Sequence, residues 1–194
     1  MRKPAALAPA VLALTLALVM GAAQAATPTK FEPTIQVQGT QLQLNGAGTR
    51  YKAIFKVYDL GLYTAKHVTT PEELLALPGP KRLQFTALRE LPGTDLGRLF
   101  IKGLSENSPN EMVQKHTIST TRFIEIFSGK SKLLPGETFA MEFLPGKGTQ
   151  FYIVGKPQGD PVGDAEFFAM VLKIWVGNSP ADSSLKDALL GIER

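Results

Sequence analysis

Apolar and polar residues alternate through much of the first half of this chain, and a period of two puts successive side chains on opposite faces of a strand. Ile35 and Val37 alternate with Gln36 and Gln38; after Gly39-Thr40, Leu42 and Leu44 alternate with Gln41, Gln43 and Asn45. That pattern predicts a β-hairpin. Gly46 and Gly48 then predict a turn, since glycine takes backbone angles closed to other residues, and a long strand follows from Arg50 to Tyr63 with a bulge at Gly61. Alternation sorts this strand into a core face of Tyr51, Ala53, Phe55 and Val57 and a mixed face of Arg50, Lys52, Ile54, Lys56 and Tyr58. Lys52 and Lys56 fit either a solvated face or a cationic pocket wall. Arg50 is the best candidate for an anion anchor, because a guanidinium binds a carboxylate bidentately.

Farther along, Thr70, Pro71 and Glu73 form a capping box that predicts a short helix ending before Pro78. Leu83, Phe85 and Ala87 alternate as a strand. Helices are predicted from Asp95 to Leu104 and, capped by Ser108 and closed near Gly129, from Pro109 to Phe127. Phe139, Met141 and Phe143 form a strand that turns at Pro145-Gly146-Lys147-Gly148 into its partner, Phe151 to Val154. Asp160 and Pro161 predict the start of the last helical third. Ala165 to Val176 is apolar almost all round, apart from Glu166 and Lys173, so it predicts a buried helix that Gly177 stops. A last helix runs from Asp182 to Leu190. Strands, helices, a strand hairpin and more helices make an α+β pattern, a large antiparallel sheet covered on one face.

The N-terminus changes this picture only outside the fold. Arg2 and Lys3 precede an apolar run from Ala5 to Met20, and Ala23-Gln24-Ala25 places small residues where a signal peptidase reads. The run is shorter than the roughly 20 residues that span a bilayer, and Pro9 interrupts it. The expectation is a signal peptide over residues 1–25, cleaved after Ala25, a flexible leader over 26–33, one domain over 34–194, and a periplasmic or secreted product with no stable membrane insertion. Of 194 residues, removal of 25 leaves 169, enough for one domain with a sizeable core. The formal charge drops from +4 to +2 when Arg2 and Lys3 leave, and the remaining basic residues are scattered, so nothing points to nucleic acid. With no cysteine there is neither a lipid-modified cysteine nor a disulfide scaffold, and stability rests on packing.

Common chemical motifs fail on inspection. Gly46-Ala47-Gly48 would need its third glycine at Tyr51 and a helix after it, as in dinucleotide folds. Gly129-Lys130-Ser131 lacks the upstream glycine of a phosphate loop, Ile124 standing there. His67 and His116 have no sequence partners for a metal, and there is no Gly-x-Ser-x-Gly elbow. Glu72 and Glu73 are adjacent, and consecutive residues on a helix do not face each other. No metal, cofactor or independent catalytic set emerges.

Three segments in order, Gly46-Ala47-Gly48-Thr49-Arg50, Lys56-Val57-Tyr58-Asp59-Leu60-Gly61-Leu62-Tyr63, and Val171-Leu172-Lys173-Ile174-Trp175-Val176-Gly177 with Leu185-Lys186, resemble the chalcone isomerase family, especially its short exported bacterial members. The resemblance implies an open-faced sandwich with a ligand cleft between sheet and helices. In the plant isomerases the site has an arginine, a strand threonine, a helix tyrosine and asparagine, and a late-helix threonine, which stabilise the enolate formed as a phenolate adds to an unsaturated ketone. Carried over, only the arginine persists, as Arg50. The other positions fall on Tyr58, near Leu96, near Gly103, and on Ile174 with Trp175 beside it. Losing one such donor typically costs two or three orders of magnitude in rate. The resemblance therefore implies a binding protein for a small apolar acid such as a fatty acid, with Arg50 as carboxylate anchor, Tyr58 as second donor, and Ile174 and Trp175 as apolar lining. The alternative is an isomerase, an intramolecular lyase, acting on a chalcone-like or other unsaturated carbonyl compound.

Overall fold

The computed structural model describes residues 29–192. The expected signal peptide and the first residues of the expected leader lie outside the described residues. The chain forms β1 (Thr34–Val37), β2 (Thr40–Lys52), β3 (Phe55–Thr64), α1 (Pro71–Ala76), β4 (Lys81–Ala87), β5 (Leu91–Pro92), α2 (Gly93–Asn107), α3 (Asn110–Lys115), α4 (Thr117–Ser128), β6 (Lys132–Leu133), β7 (Thr138–Leu144), β8 (Gly148–Ile153), β9 (Lys156–Pro157), α5 (Ala165–Val176) and α6 (Ser183–Leu189). Seven strands make one antiparallel sheet in the order β1-β2-β3-β4-β7-β8-β9, and β5 pairs with β6 as a separate two-stranded ribbon. The α+β architecture follows the predicted pattern.

Alternation decides which face takes the helices. In β4, Leu83, Phe85 and Ala87 are buried while Arg82, Gln84 and Thr86 are half-buried on the opposite face. Leu60 pairs with Phe85 and Leu62 with Leu83, so neighbouring strands add to the same core. On it lies α5, whose Phe167, Phe168, Met170, Val171, Leu172, Ile174, Trp175 and Val176 are all buried, as expected of a helix apolar on most sides. The other face carries an ordered polar band: Arg82 pairs with Glu142, which also accepts from the Tyr152 hydroxyl at 2.9 Å.

The glycine-rich segment does something other than turn. Gly46 and Gly48 sit inside β2, which continues to Lys52, and the hairpin reverses at Ala53 and Ile54. A Cβ at Gly46 would lie 2.1 Å from the Ala188 carbonyl oxygen, and one at Gly48 2.8 Å from the Ala188 Cβ. Both positions are bare so that α6 can lie directly on the strand. The expected core face is corrected with them: Tyr51, Ala53 and Phe55 are exposed, because these residues project past the helix layer at the hairpin tip, and only Val57 is buried. Lys52 and Lys56 are exposed there too. Gly61 is a regularly paired strand residue rather than a bulge, and its missing side chain makes room for Phe31, whose ring would lie 2.8 Å from a Cβ.

Phe31 belongs to the stretch expected as flexible leader, yet Thr29–Pro33 is tied to the sheet. Thr29 N–H donates to Asp59 at 3.1 Å, the Tyr63 hydroxyl to the Glu32 carbonyl at 2.9 Å, and Leu44 N–H to the Pro33 carbonyl at 2.9 Å. Two helix boundaries also differ. The predicted helix from Pro109 to Phe127 is broken at His116 into α3 and α4. The cap of α5 is Asp164, whose side chain accepts from Phe167 N–H, while Val162 is held by paired backbone bonds to Thr149 and the Asp160-Pro161 segment stays outside the helix. At α1 the box forms with a shifted return: Thr70 caps Glu73 N–H, and Glu73 accepts from Thr69 N–H at 2.9 Å.

Candidate functional site

Arg50 and Tyr58 are direct cross-strand partners on β2 and β3, so they share the face that the helices cover. The guanidinium carbon lies 5.5 Å from the centroid of the Tyr58 ring, within cation–π range. An irregularity between Arg50 and Tyr51 skips Val57 and shifts the register just beyond them, to Tyr51 opposite Lys56. Trp175 on α5 completes the group: its indole N–H donates to the Tyr58 hydroxyl oxygen at 2.8 Å. Phe85 closes the floor beneath, 5.3 Å from Tyr58 and 5.2 Å from Trp175 between ring centres.

This arrangement leaves two donors unused. Burial pushes the Tyr58 pKa above its ordinary 10.0, while the Arg50 charge and hydrogen bonding from Trp175 and from the Arg50 guanidinium pull the other way. Tyr58 is therefore a neutral phenol at physiological pH, and an oxygen that accepts from Trp175 keeps its own proton for another acceptor. Arg50 Nε is buried and has no hydrogen-bond partner among the described residues. A buried donor without a partner costs about 1–3 kcal/mol, and more when charged.

Arg50 and Tyr58 both line a cavity of about 150 Å³, together with Leu96, Phe100, Gly103, Phe123, Phe127, Phe139, Met141, Ile174 and Trp175. Leu99, Lys102 and Glu106, all largely exposed, line its outer part, where Lys102 and Glu106 pair at 3.2 Å. The helices supply the apolar wall by their period: Leu96, Leu99, Phe100 and Gly103 recur along one side of α2, and Phe123 and Phe127 lie one turn apart on α4. That spacing was available in the sequence, as was the alternation of Phe139 and Met141. What could not be read there was which helix stripe meets the arginine.

All four expected site residues, Arg50, Tyr58, Ile174 and Trp175, thus line one cavity. Two of them do more than expected. Trp175 is a polar positioning group as well as lining, since its N–H fixes the Tyr58 hydroxyl. Ile174 packs against Gly103, where a Cβ would come within 2.7 Å of Ile174 Cγ2. That contact explains why a side chain as large as asparagine has no place at Gly103. Leu96, Gly103 and Ile174, on or near which the resemblance places three polar helix positions of the plant isomerases, all stand in the wall and are apolar.

A larger depression, about 800 Å³, lies among residues of α4, β6, β8 and the loop before α5. Most of its charges are paired, Lys130 with Glu137 at 2.9 Å, Arg122 with Glu125 at 3.3 Å and Lys132 with Glu90 outside the lining at 2.7 Å. None of its lining residues has a buried polar atom left without a partner. Its chemistry is that of a solvated surface.

His116, which has no partner in the sequence around it, stands at the cap between α3 and α4 and finds its partners across the chain. It is buried, with Nε2 2.8 Å from Glu166 and 3.9 Å from Asp164, and one ligand-type atom from each of the three lies within 4.8 Å of the others. These groups are already engaged. Glu166 also pairs with Lys115, and the hydrogen bonds of Lys115 and His116 hold its carboxyl below the usual range. Asp164 caps α5. The cluster fastens the corner between α3 and α4 to the start of α5.

A helix-covered antiparallel sheet with a half-buried arginine at one end of an apolar cavity makes an open-faced sandwich. Residues 23–191 match the family described as chalcone isomerase-like, and the chain belongs to that family. Among solved structures, a fatty-acid binding protein from Arabidopsis thaliana is similar with a TM-score of 0.64, at 16% sequence identity over 82% of this chain and 90% of that one. That likeness is one of fold. No curated protein matches the chain.

Proposed function

We propose that this is an exported, non-catalytic binding protein for a small apolar carboxylic acid. The observation that carries the reading is the buried Arg50 Nε without a partner beside a Tyr58 hydroxyl whose proton is free. A carboxylate would accept from both, while its apolar part would lie among Phe100, Phe123, Phe127 and Ile174. The volume of about 150 Å³ is below the roughly 300–1,000 Å³ of common ligand pockets and comparable to cavities that hold benzene. It suits a compact acid, or the head end of a longer chain whose tail leaves past Leu99. The Arabidopsis protein of the same fold is described as binding fatty acids, which supports the class of ligand.

Catalysis of the plant type is disfavoured by Leu96, Gly103 and Ile174, which offer no donor to a developing enolate. Trp175 is the only tryptophan in the chain, so its fluorescence reports on the site directly. Titration with octanoate, palmitate and a phenylpropanoid acid should change that emission. Arg50→Ala should weaken binding roughly 10- to 100-fold, the worth of a charge-assisted hydrogen bond of about 1.5–3 kcal/mol. An unaltered emission, or affinity indifferent to Arg50→Ala, refutes the proposal. Turnover of a chalcone above the buffer rate, lost in Arg50→Ala and Tyr58→Phe, would establish the isomerase instead.

A further inference from the structure

The tip of the β2–β3 hairpin exposes the bulkiest apolar group of side chains contiguous in sequence. Ile54 is 83% exposed, Phe55 60% and Tyr51 45%. Lys52, Lys56 and Arg89 surround them, all exposed, with the Arg89 guanidinium 5.9 Å from the Phe55 ring centre. Neither lysine forms an ion pair among the described residues, and no acid occurs from Arg50 to Tyr58. The turn itself is strained: Ala53 takes a φ of 53°, a left-handed conformation that glycine or asparagine adopts more easily, and it holds Ile54 outermost.

Register shows how these side chains are disposed. Tyr51 pairs with Lys56 and Lys52 with Phe55, so each face of the ribbon carries one aromatic and one lysine, and Ile54 crowns the end. A flat protein surface would cover one face and leave the other aromatic in water. A medium entered end-on receives both. Aromatic rings at headgroup depth with cations beside them is the chemistry of an anionic bilayer surface.

We propose that the β2–β3 tip is a docking wedge for an anionic lipid surface. Ile54 and Phe55 enter the boundary between headgroups and acyl chains, while Lys52, Lys56 and Arg89 meet the lipid phosphates. Arg50 lies three residues below the turn, about 10 Å along the strand, so docking brings the polar end of the cavity close to the headgroups. The wedge is independent of what the cavity holds. It also needs no spanning segment, and among the described residues no helix is long and apolar enough to cross a membrane.

Hydrogen exchange of the full chain, with and without vesicles, tests the wedge locally. Vesicles of phosphatidylglycerol with phosphatidylcholine should protect the amides of residues 51–56, and phosphatidylcholine alone should not. Lys52→Gln with Lys56→Gln should lower the vesicle partition coefficient about thirtyfold, from about fivefold for each lysine near an anionic surface. Ile54→Ser with Phe55→Ser should abolish the protection, and because these side chains are exposed neither pair disturbs the core. Vesicle binding with residues 51–56 unprotected, or unchanged in both double variants, overturns the proposal. So does lipid-free self-association that the Ile54→Ser, Phe55→Ser variant removes, which would make the tip a contact between copies of the chain.

Discussion

Replacing Gly103 with alanine sets helix preference against packing, and the outcome depends on one neighbour. Alanine is favoured over glycine in a helix interior by about 1 kcal/mol. At this position, however, the new Cβ would stand 2.7 Å from Ile174 Cγ2 and 3.1 Å from Cγ1, with Ile174 itself buried on α5. A β-branched side chain in a helix has one strongly preferred χ1 rotamer, so Ile174 cannot swing away cheaply. Overpacking of this kind costs about 1–3 kcal/mol. Gly103→Ala should therefore destabilise the protein by about 1 kcal/mol net. With Ile174→Ala present both γ-carbons are gone and only the retained Cβ, 3.3 Å away, still crowds the site, so the same change should stabilise by up to about 1 kcal/mol, a coupling of up to about 2 kcal/mol between the two sites. Urea unfolding followed by Trp175 emission measures all four proteins of the cycle. Equal effects of Gly103→Ala in both backgrounds would show that the glycine is not there for Ile174, and the explanation for the missing asparagine would fall with it.

Two further predictions concern buried polar groups. Lys81 is buried with its ammonium on the Leu77 carbonyl, and burial lowers its pKa from 10.5 to about 8. The native chain then binds fewer protons than the unfolded one between about pH 8 and 10.5, so stability rises with pH across that window, by up to about 3 kcal/mol. Tyr58, raised by burial, acts oppositely above pH 10, so the measurement is the difference between wild type and Lys81→Met: any advantage of the variant should shrink as pH rises from 8, and parallel profiles would refute the claim. Asn45 is buried, with its amide donating to the carbonyls of Val68 and Leu189 at 3.0 and 2.7 Å and its oxygen accepting from Val68 N–H at 2.8 Å. Asn45→Ala strands these backbone groups and should cost roughly 3 kcal/mol in denaturant unfolding; a loss below the level of a surface substitution would show that water takes over the contacts.

The elements most legible in the sequence were those whose periodicity needs no partner to interpret. The alternation of Leu83, Phe85 and Ala87, the nearly all-apolar run of α5, the cap at Thr70 and the start of the last helix at Asp182 all appear where expected. Misreadings gathered where a local signal had two physical meanings. Gly46 and Gly48 could mark a turn or a place where another element comes close, and only the position of α6 selects the second. Alternation from Tyr51 to Val57 could mark a core face only if helices reached that far. His116 had no partner in sequence because Glu166 is fifty residues away.

The candidate site divides in the same way. By itself the sequence determined the family, the α+β order of elements, and the residue types at Arg50, Tyr58, Ile174 and Trp175, because backbone preference and apolar periodicity are local properties. Tertiary structure decided what those residues do together. Strand register set Arg50 opposite Tyr58, the seat of α5 aimed the Trp175 N–H at the phenol oxygen, and the approach of α2 to Ile174 required glycine at 103. Each is a contact between segments far apart in the chain, and no local preference encodes the distance between them.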